Sequence, residues 1–135
     1  THMLIIIAIK SQESKVTSDF LAASVGVNPV IIRKTLSQLK KAELISVARG
    51  TGGTEILKDL KDISLFDVYQ AVECLGKSGK LFSFHDNPNP NCPVGANIHQ
   101  VLDQKLLDIQ LAMENQLRQT SLAQVVADAE AKIAK

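Results

Sequence analysis

Apolar residues recur every three to four positions through most of the chain, and the interruptions mark its joints. Residues 3–9 (MLIIIAI) are apolar throughout and read as the buried end of a helix closing near Ile9 or Lys10. A polar loop follows. Thr17 or Ser18 is placed to cap a second helix whose Phe20, Leu21 and Val25 share a face, and Gly26 ends it. Asn28 before Pro29 restarts a helix, because asparagine caps the first amides and proline needs no amide partner there. This third helix runs to about Ala42, with Ile32, Leu36 and Leu39 facing the core.

Alternation then replaces helical spacing. Residues 44–48 (LISVA) and 55–57 (EIL) read as short strands around a loose tip, RGTGGT, from Arg49 to Thr54. Ser64 with Asp67 resembles a capping box. It opens a helix carrying Leu65, Val68, Tyr69 and Val72 and expected to end near residues 73–75. Residues 76–95 hold three of the four prolines and form an irregular connection, long enough to suggest a task for it. Helical spacing returns over residues 96–118, where Ile98, Leu102, Leu106, Ile109, Met113 and Leu117 form a stripe widened by Val101, Leu107 and Leu111. Apolar surface on more than one side suits a helix shared by two subunits of a homodimer. Ser121 opens a short amphipathic tail with Leu122, Val125 and Val126, and its alanine-rich end is expected to fray.

The fold class expected is mainly α with a small β-hairpin: a winged helix-turn-helix with a long C-terminal dimerisation helix. The division follows as residues 1–75 for the winged helix, 76–95 for a loop and candidate sensor segment, and 96–135 for the dimerisation helix and tail.

Composition sharpens this locally more than globally. The net charge is only +1, which by itself supports neither nucleic acid nor membrane as partner. Between Asn28 and Gly50, however, Arg33, Lys34, Lys40, Lys41 and Arg49 face one acid, Glu43, so that stretch carries +4. The apolar run at residues 3–9 is too short to span a bilayer and, with no basic segment before it and no cleavage site after it, is not expected to be a secretory leader; two cysteines fit a reducing cytoplasm. Thr1 and His2 ahead of Met3 read either as a cloning remnant or as the interior of a longer first helix.

A helix that enters the major groove needs free side chains near its N-terminus and cations on its flanks. Asn28, Val30, Arg33 and Ser37 occupy that position. Arg33 is the candidate to read a guanine through its two-pronged fork, worth about 1–3 kcal/mol of discrimination. Lys34, Lys40 and Lys41 are candidates for phosphate contacts, and Arg49 at the glycine-flanked tip for a narrow minor groove.

Cys74 and Cys92 are separated by seventeen residues with only His85 between them, and His99 follows in the long helix. That is no compact metal set, so neither zinc nor an iron-sulfur cluster is expected. Cys92, near a helix start, is a candidate reactive thiol, and His85 beside it a further candidate sensor residue. His85 with Asp86 lacks a nucleophile, oxyanion hole or phosphate loop, so no enzyme is expected.

The run VGVNPVIIRKTLSQLKKAELISVARGTGG, followed by DISLFDVYQAVE and by NPNCPVG before a long helix, resembles the Rrf-two family of bacterial winged-helix regulators over nearly the whole chain. The resemblance implies a homodimer with crossing long helices, each winged helix on one half of a palindromic operator in double-stranded DNA. It also implies a first helix longer than residues 3–9. By position, Asn28, Val30, Ile31 and Arg33 would face DNA from the recognition helix, and Arg49, Gly50 and Thr51 from the wing. Lys34, Ser37 and Lys41 complete the expected interface. Thr54 stands where the family often has an aromatic residue or a further glycine. Cluster-binding members carry three cysteines in the segment where this chain has Cys92, which places it with the cluster-less branch. Two other readings stay open: a winged-helix module that binds protein, and a thiol redox sensor acting through Cys92.

Overall fold

A helix that is apolar around its circumference must be buried on more than one side. In the computed structural model, which describes residues 1–135 except Thr51, Glu73, Cys74 and Phe84, helix α1 (His2–Lys10) does this. Met3, Leu4 and Ile7 are buried, and Ile5, Ile6, Ala8 and Ile9 pack against the same core. Helix α2 (Ser18–Val25) is capped by Thr17, whose Oγ1 accepts from the Phe20 amide at 3.2 Å. It closes at Gly26, with φ of 76°, where the amides of Gly26 and Val27 both donate to the Ala22 carbonyl. Leu21 and Ala22 are buried, whereas Phe20, expected beside Leu21 and Val25, is exposed. Five residues of helix rotate Phe20 about 140° from Val25, so the two cannot share a face.

Helix α3 (Pro29–Lys41) begins as expected: Asn28 Oδ1 accepts from the Val30 amide at 2.8 Å, and Pro29 takes the first position. Ile32, Leu36 and Leu39 are buried. Fully burying a Leu or Ile side chain contributes roughly 1.5–3 kcal/mol, so this stripe fastens α3 to the core. The helix ends with Glu43 in the left-handed region, φ 60°. Its amide donates to Lys40 O, and that of Leu44 donates to Leu39 O.

Strands β1 (Ile45–Val47) and β2 (Thr54–Ile56) pair antiparallel, Ile45 opposite Ile56 and Val47 opposite Thr54. Thr54 thus belongs to the strand rather than the tip, and it is buried. A single 3-10 turn (Leu60–Asp62) precedes helix α4 (Leu65–Ala71). The capping box is present: Ser64 Oγ accepts from the Asp67 amide, and the Asp67 carboxylate accepts from the Ser64 amide at 2.8 Å. The helix stops at Ala71 with Val72 as cap, earlier than its apolar spacing suggests. Of that stripe only Val68 is buried, with Leu65, Tyr69 and Val72 half-buried.

Helix α5 (Pro93–Gln119) starts three residues before the expected Ala96, again because proline tolerates the first position, with Cys92 as the preceding residue. Helix α6 (Leu122–Ile133) is no frayed tail. Ser121 and Gln124 form a second capping box, and Leu122 and Val126 are buried in the core against α1 and the 3-10 turn. The two capping boxes are stitched together: the Leu65 amide donates to Thr120 O at 2.9 Å and the Leu122 amide to Ile63 O at 2.7 Å. That bridge fixes where α5 leaves the winged helix. Among the described residues the fold is thus mostly helical with one two-stranded hairpin, and no helix is long and apolar enough to cross a membrane.

Candidate nucleic-acid interface

With Ile32, Leu36 and Leu39 inward, the 3.6-residue turn sends Val30, Lys34, Ser37 and Lys41 directly outward, and all four are exposed. Arg33 and Lys40 lie on the flank towards the hairpin, Ile31 on the opposite one. The expected recognition residues therefore do not share one face. Val30, Lys34, Ser37 and Lys41 form a ridge, Arg33 borders the wing, and Ile31 is set apart, its carbonyl accepting from Thr35 Oγ1 at 2.9 Å. Asn28 sits at the foot of the ridge with Oδ1 committed to its cap.

Arg33, Ser37 and Lys40 line a groove of about 550 Å³ whose other walls include Thr17, Asp19 and Gly50. The hairpin forms its far side. Arg49 and Gly50 are exposed at the tip, Gly50 with φ of 71°, and Thr51 lies outside the described residues. The tip is shaped by close approach: a Cβ at Gly52 would overlap the Ala48 side chain, and one at Gly53 would press on the Val16 amide at 3.1 Å. The Ala48 amide donates to Gly53 O at 3.0 Å.

Among the described residues, no ion pair engages Arg33, Lys34, Lys40, Lys41 or Arg49. Five cations on α3 and the hairpin tip, outnumbering the Asp19 carboxylate that shares the groove of Arg33 and Lys40, make a surface suited to a polyanion.

The segment before α5 is held to that helix at two places. Gln110, buried on α5, accepts from the Leu81 amide at 2.9 Å and donates to Gly79 O at 3.0 Å and to Glu114 at 3.2 Å. His99 places Nδ1 3.0 Å from an Asp103 carboxylate oxygen and Nε2 3.2 Å from the His85 carbonyl. These contacts raise the His99 pKa, the Asp103 hydrogen bond first, with the His85 carbonyl and the charges of Asp103 and Asp86 adding to it against partial desolvation. Spacing raises His99 only when metal ligands are weighed and does not mark Gln110, for which a glutamine in an apolar helix is the available signal. His85 takes part through its backbone. Cys92 is an exposed free thiol whose pKa is lowered by the amides of Gly95 and Val94. Cys74 lies outside the described residues.

The long-helix stripe is turned sideways. The buried positions of α5 are Gln110 and Glu114, while Ile98, Leu102, Leu106, Met113 and Leu117 are half-buried, and Ile109 is exposed with Val101, Leu107 and Leu111. Arg118 stacks over Phe66 at 3.8 Å and ties the end of α5 to α4.

The model of the Rrf2 family, iron-dependent transcriptional regulators, matches residues 1–128. YwnA of Bacillus subtilis (strain 168), assigned as an HTH-type transcriptional regulator, is 43% identical over 121 residues, which cover 90% of this chain and 89% of YwnA. A crystal structure of a protein described as DNA binding is similar with a TM-score of 0.70 and 38% identity, over 92% of each chain. T. potens IscR shares the fold at a TM-score of 0.70 and 21% identity, over 97% of this chain and 82% of its own. The iron in the family's description does not fit the donors here. A cluster takes about four ligands, usually thiolates. The chain has two cysteines, and no three His, Cys, Asp or Glu side chains converge among the described residues. Matched along residues 1–128, with a 43% identical relative over nine-tenths of its length, the chain belongs to the Rrf2 family of transcriptional regulators.

Proposed function

We propose that this protein is a cytoplasmic, homodimeric repressor that binds a palindromic operator in double-stranded DNA. Each subunit places the outward ridge of α3 in the major groove and the Arg49 tip in the adjacent minor groove. The observation that carries this reading is the exposed band of five cations on α3 and the hairpin, none in an ion pair among the described residues. Arg33 reads a base edge, Lys34, Lys40 and Lys41 meet phosphates, and Arg49 with Gly50 and Thr51 follows the minor groove. Repression follows from occupancy, since a dimer spanning two half-sites excludes other proteins from the same duplex.

The dimer is supported by α5, whose apolar stripe lies half-exposed beside its buried polar positions. A second subunit laid across that stripe removes it from water and sets the half-site spacing. Selection of bound sequences from random duplex tests the assignment. Enrichment of an inverted repeat supports it, and recovery of sequence-independent binders alone overturns it.

Cys92 supports a second reading of the signal. Its exposed thiol at the start of α5, with a lowered pKa, suits oxidant sensing. Operator release by oxidant in the wild type but not in Cys92→Ser would assign that role.

A further inference from the structure

Two branched apolar residues open the recognition helix in full view of solvent. Val30 is 64% exposed and Ile31 57%. A β-branched side chain disfavours an exposed helix position, where it loses rotamer freedom without gaining burial. Nothing else on the outward ridge is apolar: Lys34, Ser37 and Lys41 continue it. Val30 is therefore an apolar contact point at the leading end of a cationic surface, while Ile31 points to the other flank. Charge selects a phosphate-rich partner for the surface as a whole. Within the major groove of such a partner, the group that an apolar side chain contacts is the C5 methyl of thymine.

We infer that Val30 is a specificity residue that reads a thymine methyl in each half-site, beside the base contacted by Arg33. The inference rests on the DNA-binding reading above and adds to it which base is selected. The branched side chain suits the task, because its single preferred χ1 rotamer leaves little freedom to lose on contact. Its exposure also means that Val30→Ala removes the contact without opening the core.

The experiment measures the affinity of the full chain for the duplex obtained by selection, and for duplexes in which each thymine of the half-sites is replaced in turn by deoxyuridine. That exchange removes the methyl and keeps the base-pairing edge. Loss of one buried methyl corresponds to about a four-fold weakening per half-site. The expected result is one sensitive thymine in each half-site for the wild type, and equal binding of the thymine and uracil duplexes by Val30→Ala. Unaltered binding across the wild-type uracil series overturns the inference while leaving DNA binding intact, as does persistence of the discrimination in Val30→Ala. Absence of any sequence-selective duplex binding overturns both readings.

Discussion

His99 and Asp103 stand one turn apart on α5, with Nδ1 3.0 Å from the carboxylate, and the other ring nitrogen of His99 faces the His85 carbonyl at 3.2 Å. Both nitrogens thus meet acceptors. The imidazolium can donate to both, whereas either neutral tautomer can donate to one. The folded pKa is raised above its ordinary 6.5, so this link between loop and helix is complete below 6.5 and fades as pH rises through the folded value. An NMR titration should place the His99 midpoint above 6.5 in the wild type and lower in Asp103→Asn. Amide protection near residues 85–86, corrected for intrinsic exchange, should hold below the ordinary 6.5 and fall as pH rises through the raised folded midpoint. A pH-independent protection would count against the clasp.

Glu43 sits with φ of 60° between the last turn of α3 and β1. A left-handed conformation costs a non-glycine residue roughly 1–2 kcal/mol, and a carboxylate at a helix C-terminus opposes the dipole. Glycine's larger unfolded-state entropy offsets part of this. Glu43→Gly should stabilise the protein by about 1 kcal/mol. Urea unfolding should show a higher midpoint with an unchanged slope; an unchanged or lower midpoint would contradict the account.

Gly52 lies so close to the Ala48 side chain that any Cβ must displace it. Gly52→Ala should therefore reshape the wing and leave the α3 stripe of Ile32, Leu36 and Leu39 untouched. On the DNA-binding reading, the minor-groove contribution is lost while Arg33 still selects its base. Operator affinity should drop by about 1–3 kcal/mol, the scale of one good groove contact, with the selected major-groove positions unchanged. Circular dichroism at wild-type helicity would separate this from unfolding.

Cys92 precedes α5 at a point where the amides of Gly95 and Val94 reach its sulfur, holding the thiol below its ordinary 9.0. The thiolate fraction at neutral pH is correspondingly larger. In a Cys74→Ser background, which leaves a single thiol, alkylation by iodoacetamide should show a midpoint below 9.0 that returns to the ordinary value in urea. Equal midpoints in both states would show that the helix start does not act on the sulfur.

Much of the candidate site can be read from the chain because its decisive bonds are short-range. Thr17 to Phe20, Asn28 to Val30, Ser64 to Asp67 and Ser121 to Gln124 each span two or three residues. A capping oxygen and a nearby apolar period are enough to start a helix and choose its buried face, so α2, α3, the hairpin and the outward cations follow from local pattern. Phe20 shows the limit even there, because a helix rotates about 100° per residue and a near neighbour of a buried position can face water.

What tertiary structure alone decided is where distant pieces meet. Gln110 reaches Gly79, thirty-one positions earlier, and Leu122 donates to Ile63 across the joint between α5 and α6. No period encodes such pairs, since they depend on loops closing and surfaces fitting. They turn the C-terminal segment into part of the core, place a glutamine and a glutamate on the buried side of α5, and leave the apolar stripe beside them largely half-buried. Local hydrogen bonding and hydrophobic spacing determined a winged helix with a cationic outer face. Packing between segments decided how the long helix carries that face.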